Sequence, residues 1–323
     1  MSSADILSNT SETKIRCAVV TGGNKGIGFE ICKQLASNGV LVVLTSRDIK
    51  KGLEAVENLI SSTGVSEKYV VFHQLDVLNP LTISSLADFI KIRFRKLDIL
   101  VNNAGVSGNF IDDVDRYVAM QQGIIGEKSK ETADRLIEEL EQQEMKELFK
   151  ESYELAEQCL KTNYYGVKSV TEVLIPLLQL SDSPRIVNLS SMYGTIKNVS
   201  NEKSIEVLAD VDQLTEERID GVANSFLKDY KEDVLETNGW PDSSSAYKIS
   251  KACVNAYTRI LAKKFSTFCV NSVCPGWVAT DFNYNIGIYT AEQGAKNAVT
   301  LALLPDNGRP SGQFFDRDVA TGF

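Results

Sequence analysis

Apolar residues follow two alternating rhythms along this chain. Residues 16–21, Arg-Cys-Ala-Val-Val-Thr, form a short continuous apolar run. Residues 29–39 then place Ile31 and Leu35 at helical spacing and end on a glycine. The same exchange repeats: strand patterns at 40–45, 69–77 and 97–105, helical patterns at 51–62 and 81–94. Strands alternating with helices over the first hundred residues predict a parallel, doubly wound α/β sheet. In such a sheet the ligand site lies at the C-terminal ends of the strands.

Two interruptions follow. From 106 to about 152 the alternation stops, and a helical stripe (Ala133, Leu136, Ile137, Leu140, Met145, Leu148, Phe149) runs among many charges. It predicts an inserted helical element, a candidate flap over the substrate end of the sheet. A long helix at 153–178 and a strand at 185–191 resume the pattern. The second interruption covers about 193–240, where Thr215 is placed to cap a helix with stripe Ile219, Val222, Phe226, Tyr230 and Val234. A helix from 245 to about 265, a strand at 268–274, a helix to 304 opened by the capping box Thr290-Ala-Glu-Gln293, and a last strand at 313–315 complete the chain. The expectation is one α/β domain over 15–323 with about seven strands and two helical insertions, preceded by a disordered tail at 1–14.

Composition narrows the function. With 323 residues and 43% apolar content, the chain can bury a full core. A net charge of −9 with no basic cluster argues against a nucleic-acid partner. The apolar runs are strand-sized, so no membrane span is expected, and residues 1–14 lack the apolar core of a secretory signal. Six scattered cysteines without a C-x-x-C pair, and one histidine, speak against a disulfide framework or a metal site. Buried thiols in a reducing cytoplasm are the expectation. His73 reads as a packed or hydrogen-bonded core imidazole, and without a second histidine or a G-x-S-x-G a hydrolase triad has no support.

The chemistry concentrates in three places. Between the first strand and helix stands Gly22-Gly-Asn24-Lys25-Gly26-Ile27-Gly28. Such a turn brings backbone N–H groups and a helix N-terminus to a pyrophosphate, as in a Rossmann fold. The second strand ends in Ser46-Arg47-Asp48; an arginine there suits a 2′-phosphate, and Lys25 adds a second cation, which favours NADP(H). Asp48 leaves open a ribose contact of the NAD type. Tyr247 and Lys251, four residues apart, stand on one helix face. An ammonium ~4 Å from a phenol at an effective dielectric of ~20 is worth about 4 kcal/mol, enough to bring its pKa from roughly 10 toward 7. A phenol tuned in that way is a general acid or base.

Together Thr21-Gly-x-x-x-Gly-Ile-Gly28, Asp76-Val77, Asn102-Asn-Ala-Gly105, Asn163, Ser190-Ser191, Tyr247-x-x-x-Lys251 and Pro275-Gly276 resemble the short-chain dehydrogenase/reductase family over about residues 15–318. The stretches from Val19 to Leu35, Val70 to Val77 and Glu172 to Asn188 look like its plant branch of salutaridine and menthone reductases, with human carbonyl reductase more distant. Departures concentrate around 106–115, Met192-Tyr193 and 281–285.

The resemblance implies a role for each matching position. Gly22, Gly26 and Gly28 would bend around the pyrophosphate, with Asn24, Lys25 and Ile27 in the turn. Arg47 would take the 2′-phosphate, Asp76 and Val77 the adenine, and Asn103 and Ala104 the ribose neighbourhood. Pro275, Gly276, Val278 and Thr280 would line the nicotinamide. Asn163, Ser191, Tyr247 and Lys251 would be catalytic, with Tyr247 and Lys251 also touching the cofactor. Val106, Ser191, Met192, Phe282 and Asn283 would meet the substrate. A type within this branch that reduces a C=C bond carries glutamate at the tyrosine position; Tyr247 therefore favours reduction of a small-molecule ketone. The alternatives are the same chemistry run as an alcohol dehydrogenase, and a non-catalytic cofactor-binding protein. Family members usually dimerise through the two long helices. The apolar stripe of the second insertion could cover that face instead, so a monomer is expected.

Overall fold

The computed structural model describes residues 15–127, 148–306 and 309–322. The expected tail at 1–14 and the stripe positions Ala133, Leu136, Ile137, Leu140 and Met145 lie outside the described residues. The first half runs β1 (Cys17–Val20), α1 (Gly26–Ser37), β2 (Leu41–Ser46), α2 (Ile49–Thr63), β3 (Val70–Gln74), α3 (Pro80–Arg93) and β4 (Ile99–Asn102). Then come β5 (Phe110–Ile111), α4 (Val114–Glu127), β6 (Phe149–Lys150), α5 (Tyr153–Leu160), α6 (Gly166–Leu178) and β7 (Arg185–Leu189). The remainder is α7 (Glu202–Ala209), α8 (Glu216–Lys231), α9 (Ser245–Lys264), β8 (Cys269–Cys274), α10 (Ala291–Leu303), β9 (Phe314–Asp316) and β10 (Val319–Thr321).

Eight strands make the main sheet in the order β10-β9-β8-β7-β4-β1-β2-β3. Seven of them are parallel. Residues on alternate sides of β1 enter opposite cores: Val19 packs with Leu86, Leu174 and Ile249, while Ala18 and Val20 pack with Ile31, Leu35 and Ala298. Burial on both faces is why these strands read as unbroken apolar runs. The expected seven strands become eight because β10 folds back antiparallel on β9 through a turn with Arg317 in the left-handed region. That three-residue edge strand is mostly exposed, so it carries no apolar pattern to read.

The second insertion behaves as its stripe predicts. Thr215 accepts from the Arg218 amide at 3.3 Å and starts α8. Ile219, Val222 and Phe226 are buried against α5 and α9; each such side chain contributes about 1.5–3 kcal/mol. Asp220 of α8 accepts from the Tyr164 hydroxyl at 2.7 Å and pairs with Lys168 at 2.8 Å, tying the insertion to the segments around Asn163. Val234 lies beyond the helix end, and α7, capped by Asn201, is an additional element. The first insertion is closed at its base by an unforeseen pair, β5 with β6.

Candidate active site

The glycine turn connects β1 to α1 at the C-terminal edge of the sheet. Gly22 and Gly26 take left-handed conformations (φ 66° and 55°). A Cβ on Gly28 would come within 2.4 Å of both the Asn103 amide nitrogen and the Gly22 carbonyl. The N-cap residue of α1, Lys25, makes no side-chain cap bond and the first turn holds no acid. Uncapped amides over a glycine cradle are what an anionic pyrophosphate requires. Thr21 keeps the cradle in register, its hydroxyl accepting from the amides of Asn103 (2.9 Å) and Ala104 (3.0 Å). The Asn103 side chain is spent on the Thr21 and Gly22 carbonyls.

Around this cradle, Arg47 is exposed at the end of β2. Asp48 is occupied as the N-cap of α2, accepting from the Lys51 amide at 3.0 Å, which removes the main argument for a ribose ligand there. Lys25 pairs with Asp281 at 3.0 Å, in the loop after β8, so its ammonium already has a partner. Asp76 accepts from the Leu78 amide in its own turn, and Val77 is buried against Gly166. Gly276 is left-handed (φ 84°) and lies under the Tyr289 ring.

Tyr247 and Lys251 occupy the first two turns of α9, and Ser191 follows β7. The Ser191 hydroxyl faces the Tyr247 phenol closely enough to favour its ionised form, and it accepts from the Tyr193 amide at 3.2 Å. Close packing enforces this meeting. Gly194 lies so near α9 that a Cβ on it would sit 2.7 Å from the Lys251 carbonyl carbon, and its carbonyl accepts from Asn255 at 2.9 Å. Lys251 donates to the Leu189 carbonyl at 2.8 Å, with Nζ 5.6 Å from the Tyr247 ring centre. Asn163 sits in a π-helical turn, Lys161–Tyr165, between α5 and α6. Such turns often mark functional positions because they displace a side chain from the helical register. Its side chain exchanges bonds with the Val106 backbone (2.8 and 2.9 Å), donates to Ser250, and lies beside Gly105 near Lys251.

The electrostatics correct one expectation. The lysine does not pull the phenol toward neutrality: burial pushes Tyr247 well above its ordinary value, and the nearby Ser191 hydroxyl only partly offsets this. The same desolvation acts on the lysine, lowering Lys251 to about 8. Tyr247 is only partly buried by exposure, so the penalty on its phenolate comes from the close protein walls rather than from complete enclosure.

One side of the hollow is aromatic. The Tyr193 and Phe282 rings lie 6.3 and 5.8 Å from that of Tyr247. Phe282 is exposed, whereas Asn283 is spent bonding the Thr280 amide at 3.1 Å. Met192 opens the turn after Ser191, and its carbonyl accepts from Thr195 and Asn198. The loop after β8 and the first insertion are joined: the Tyr284 hydroxyl accepts from the Ile111 amide at 3.3 Å, and Ile286 packs with Ile111, Tyr117 and Leu148. The motifs marked Thr21 and Asn102 but not what they bond: the ladder in which Asn102 donates to Asn188 (2.8 Å) and Asn188 to Thr258 (2.9 Å) spans distant segments. Asn188 and Thr258 carry no spacing signal of their own.

His73 is half-buried on Phe89 rather than in the core, with its pKa lowered by burial. All six cysteines are free and buried, and no metal-binding cluster occurs among the described residues. No helix of the described residues is long and apolar enough to cross a membrane.

The family model for short chain dehydrogenases matches residues 16–202. Salutaridine reductase of Papaver bracteatum is 63% identical over 312 residues, covering 96% of this chain and 97% of that protein. (+)-Neomenthol dehydrogenase of Capsicum annuum is 50% identical over 324 residues, covering 96% and 98%. The solved structure of salutaridine reductase from Papaver somniferum superposes with a TM-score of 0.85 at 64% identity, covering 93% of this chain and 99% of that one. With its glycine cradle, its Ser191–Tyr247 pair and these similarities over nearly its whole length, the chain belongs to the short chain dehydrogenase family of oxidoreductases.

Proposed function

We propose that this protein is an NADPH-dependent reductase that converts a ketone on a hydrophobic plant metabolite, an alkaloid or a cyclic monoterpenoid, to the secondary alcohol. The observation that carries the reading is Tyr247 on one helix with Lys251, whose Nζ lies 5.6 Å from the phenol ring centre, beside an aromatic wall of Tyr193 and Phe282 and facing Ser191. Relatives named for salutaridine and for neomenthol support the two substrate classes. When bound, the reduced nicotinamide supplies the hydride. Ser191 donates a hydrogen bond to the carbonyl oxygen and polarises it. Tyr247 gives its proton to the oxygen as negative charge develops there, and its raised pKa keeps that proton in place until then. Lys251, with a pKa of about 8, is mostly charged at neutral pH and opposes the charge left on the phenolate. Asn163 holds the Val106 backbone and the start of the proton path to Lys251. Arg47 and the open N-terminus of α1 would hold the cofactor phosphates.

Phe282, Tyr193 and Met192 would contact the substrate, and the first insertion with the loop after β8 would exclude water. Six reduced thiols support a cytosolic setting. Burial of the α8 stripe on α5 and α9 supports a monomer. The test is a panel of morphinan-type ketones, cyclic monoterpenones and simple quinones with NADPH, followed by loss of reduced-nicotinamide absorbance. Turnover of at least one cyclic ketone is expected; no oxidation of NADPH with any would overturn the reading.

A further inference from the structure

The helix that carries Tyr247 and Lys251 begins without a cap of its own. Its N-cap residue, Ser244, stands in the left-handed region (φ 46°) and makes no side-chain bond to the first turn, which contains no acid. Left alone, such a helix end has orphan amides and a strained residue beside them. Both are met from another part of the chain. Glu151 accepts from the Ser245 amide through Oε1 at 3.2 Å and from the Ser245 hydroxyl through Oε2 at 2.7 Å. Asn109 donates to the Ser244 hydroxyl at 3.3 Å.

Glu151 follows β6, the strand that closes the first insertion. Its neighbour Ser152 caps α5, accepting from the Leu155 amide at 3.3 Å. One dipeptide thus sits on the first turns of two helices, the one leading to Asn163 and the one bearing Tyr247. Tyr247 is two residues from Ser245, inside the turn that Glu151 holds. Lys248 of α9, Tyr230 of α8 and Cys159 of α5 are the titratable groups that sense this carboxylate, and Lys248 is its attractive partner.

We propose that Glu151 is a positioning residue for the reaction: it fixes the first turn of α9 and thereby the approach of the Tyr247 phenol to Ser191. The inference rests on Tyr247 being the proton donor. A carboxylate at a helix N-terminus suits the local dipole, and two bonds to one residue set direction as well as distance. The first insertion is therefore tied to the catalytic helix as well as to the substrate side.

The experiment compares the full-length wild type with E151A, E151Q, E151D and Y247F. It measures kcat on the panel ketone turned over fastest, NADPH affinity by fluorescence, and amide hydrogen exchange in the cofactor-free protein. E151A should lose at least tenfold in kcat, keep NADPH affinity within about twofold, and exchange faster at residues 245–249 alone. E151Q, whose amide oxygen still accepts from Ser245, should recover to within about threefold of wild type. If E151A does not fold, E151D carries the test: one methylene shorter, it cannot reach both Ser245 groups, and its kcat should fall as the first turn loosens. An E151A or E151D enzyme with wild-type kcat and unchanged exchange overturns the inference. So does an E151Q as impaired as E151A. An active Y247F would sink the proposed function itself, whereas an inactive Y247F beside a fully active E151A sinks only the role of Glu151.

Discussion

Replacing Gly194 by alanine tests whether the site depends on how closely the Ser191 turn lies on α9. The new Cβ would stand 2.7–2.8 Å from the carbonyl carbon, carbonyl oxygen and Cβ of Lys251. Two of those are backbone atoms of a buried helix and cannot rotate away. Restoring ordinary contact at about 3.4 Å requires the turn and the helix to separate by about 0.7 Å. Ser191 rides on one side of that seam, Tyr247 and Lys251 on the other. Reacting groups need placement within roughly 0.5 Å, and an ångström of error costs up to about 10²-fold, so kcat should fall about 10- to 100-fold. Overpacking costs about 1–3 kcal/mol. With an unfolding entropy of about 2.1 cal/mol/K per residue over 323 residues, Tm should drop by only about 1.5–4.5 °C. NADPH affinity should change little, because the cradle at Gly22–Gly28 is untouched. Gly221→Ala in α8 is the control, since its Cβ would meet nothing within 4 Å. Steady-state kinetics, fluorescence titration and thermal melts together decide the matter. A Gly194→Ala enzyme with kcat within twofold of wild type would mean that catalysis does not depend on the closeness of this seam.

Arg47→Asp should weaken NADPH binding and move preference toward NADH, read from kcat/KM for both cofactors; equal values in the wild type would count against a 2′-phosphate site. Lys251 titrates near 8 rather than 10.5, so activity should decline as pH rises through about 8, when the ammonium is lost. The sign for stability is opposite: between about 8 and 10.5 the unfolded chain binds the proton that the folded chain has released, so this group's contribution rises with pH there. Pairing pH–rate profiles with melts checks that divergence. Light scattering on a sizing column should give one chain mass, 35.6 kDa; a stable dimer at micromolar protein would mean that α8 does not replace a partner.

What could be read from the sequence was local and repeated. The capping box at Thr290 and Gln293 is present with both bonds, at 3.2 and 3.0 Å, because its chemistry is contained in four residues. The α8 stripe and the glycine cradle were legible for the same reason. Long-range devices were not. Glu151 reaches across 94 positions to Ser245, and no periodicity marks such a pair. β5 and β6 are two residues each, too short for alternation to show. The π-turn at Asn163 leaves the apolar rhythm of 153–178 almost unbroken. The reading of the phenol failed for another reason: spacing places Lys251 near Tyr247, but only the packed structure reveals how strongly both groups are desolvated.

If Tyr247 delivers the proton to a ketone reduced by NADPH, its replacement by phenylalanine must stop turnover without loosening the cofactor. The variant removes one oxygen from a ring flanked by Tyr193 and Phe282 and leaves the cradle intact. Turnover of the best panel ketone should fall by about 10²–10⁴-fold, the usual loss for a positioned general acid. NADPH should still bind within about threefold of wild-type affinity. A Tyr247→Phe enzyme that keeps most of its kcat, with NADPH bound normally, would contradict the account.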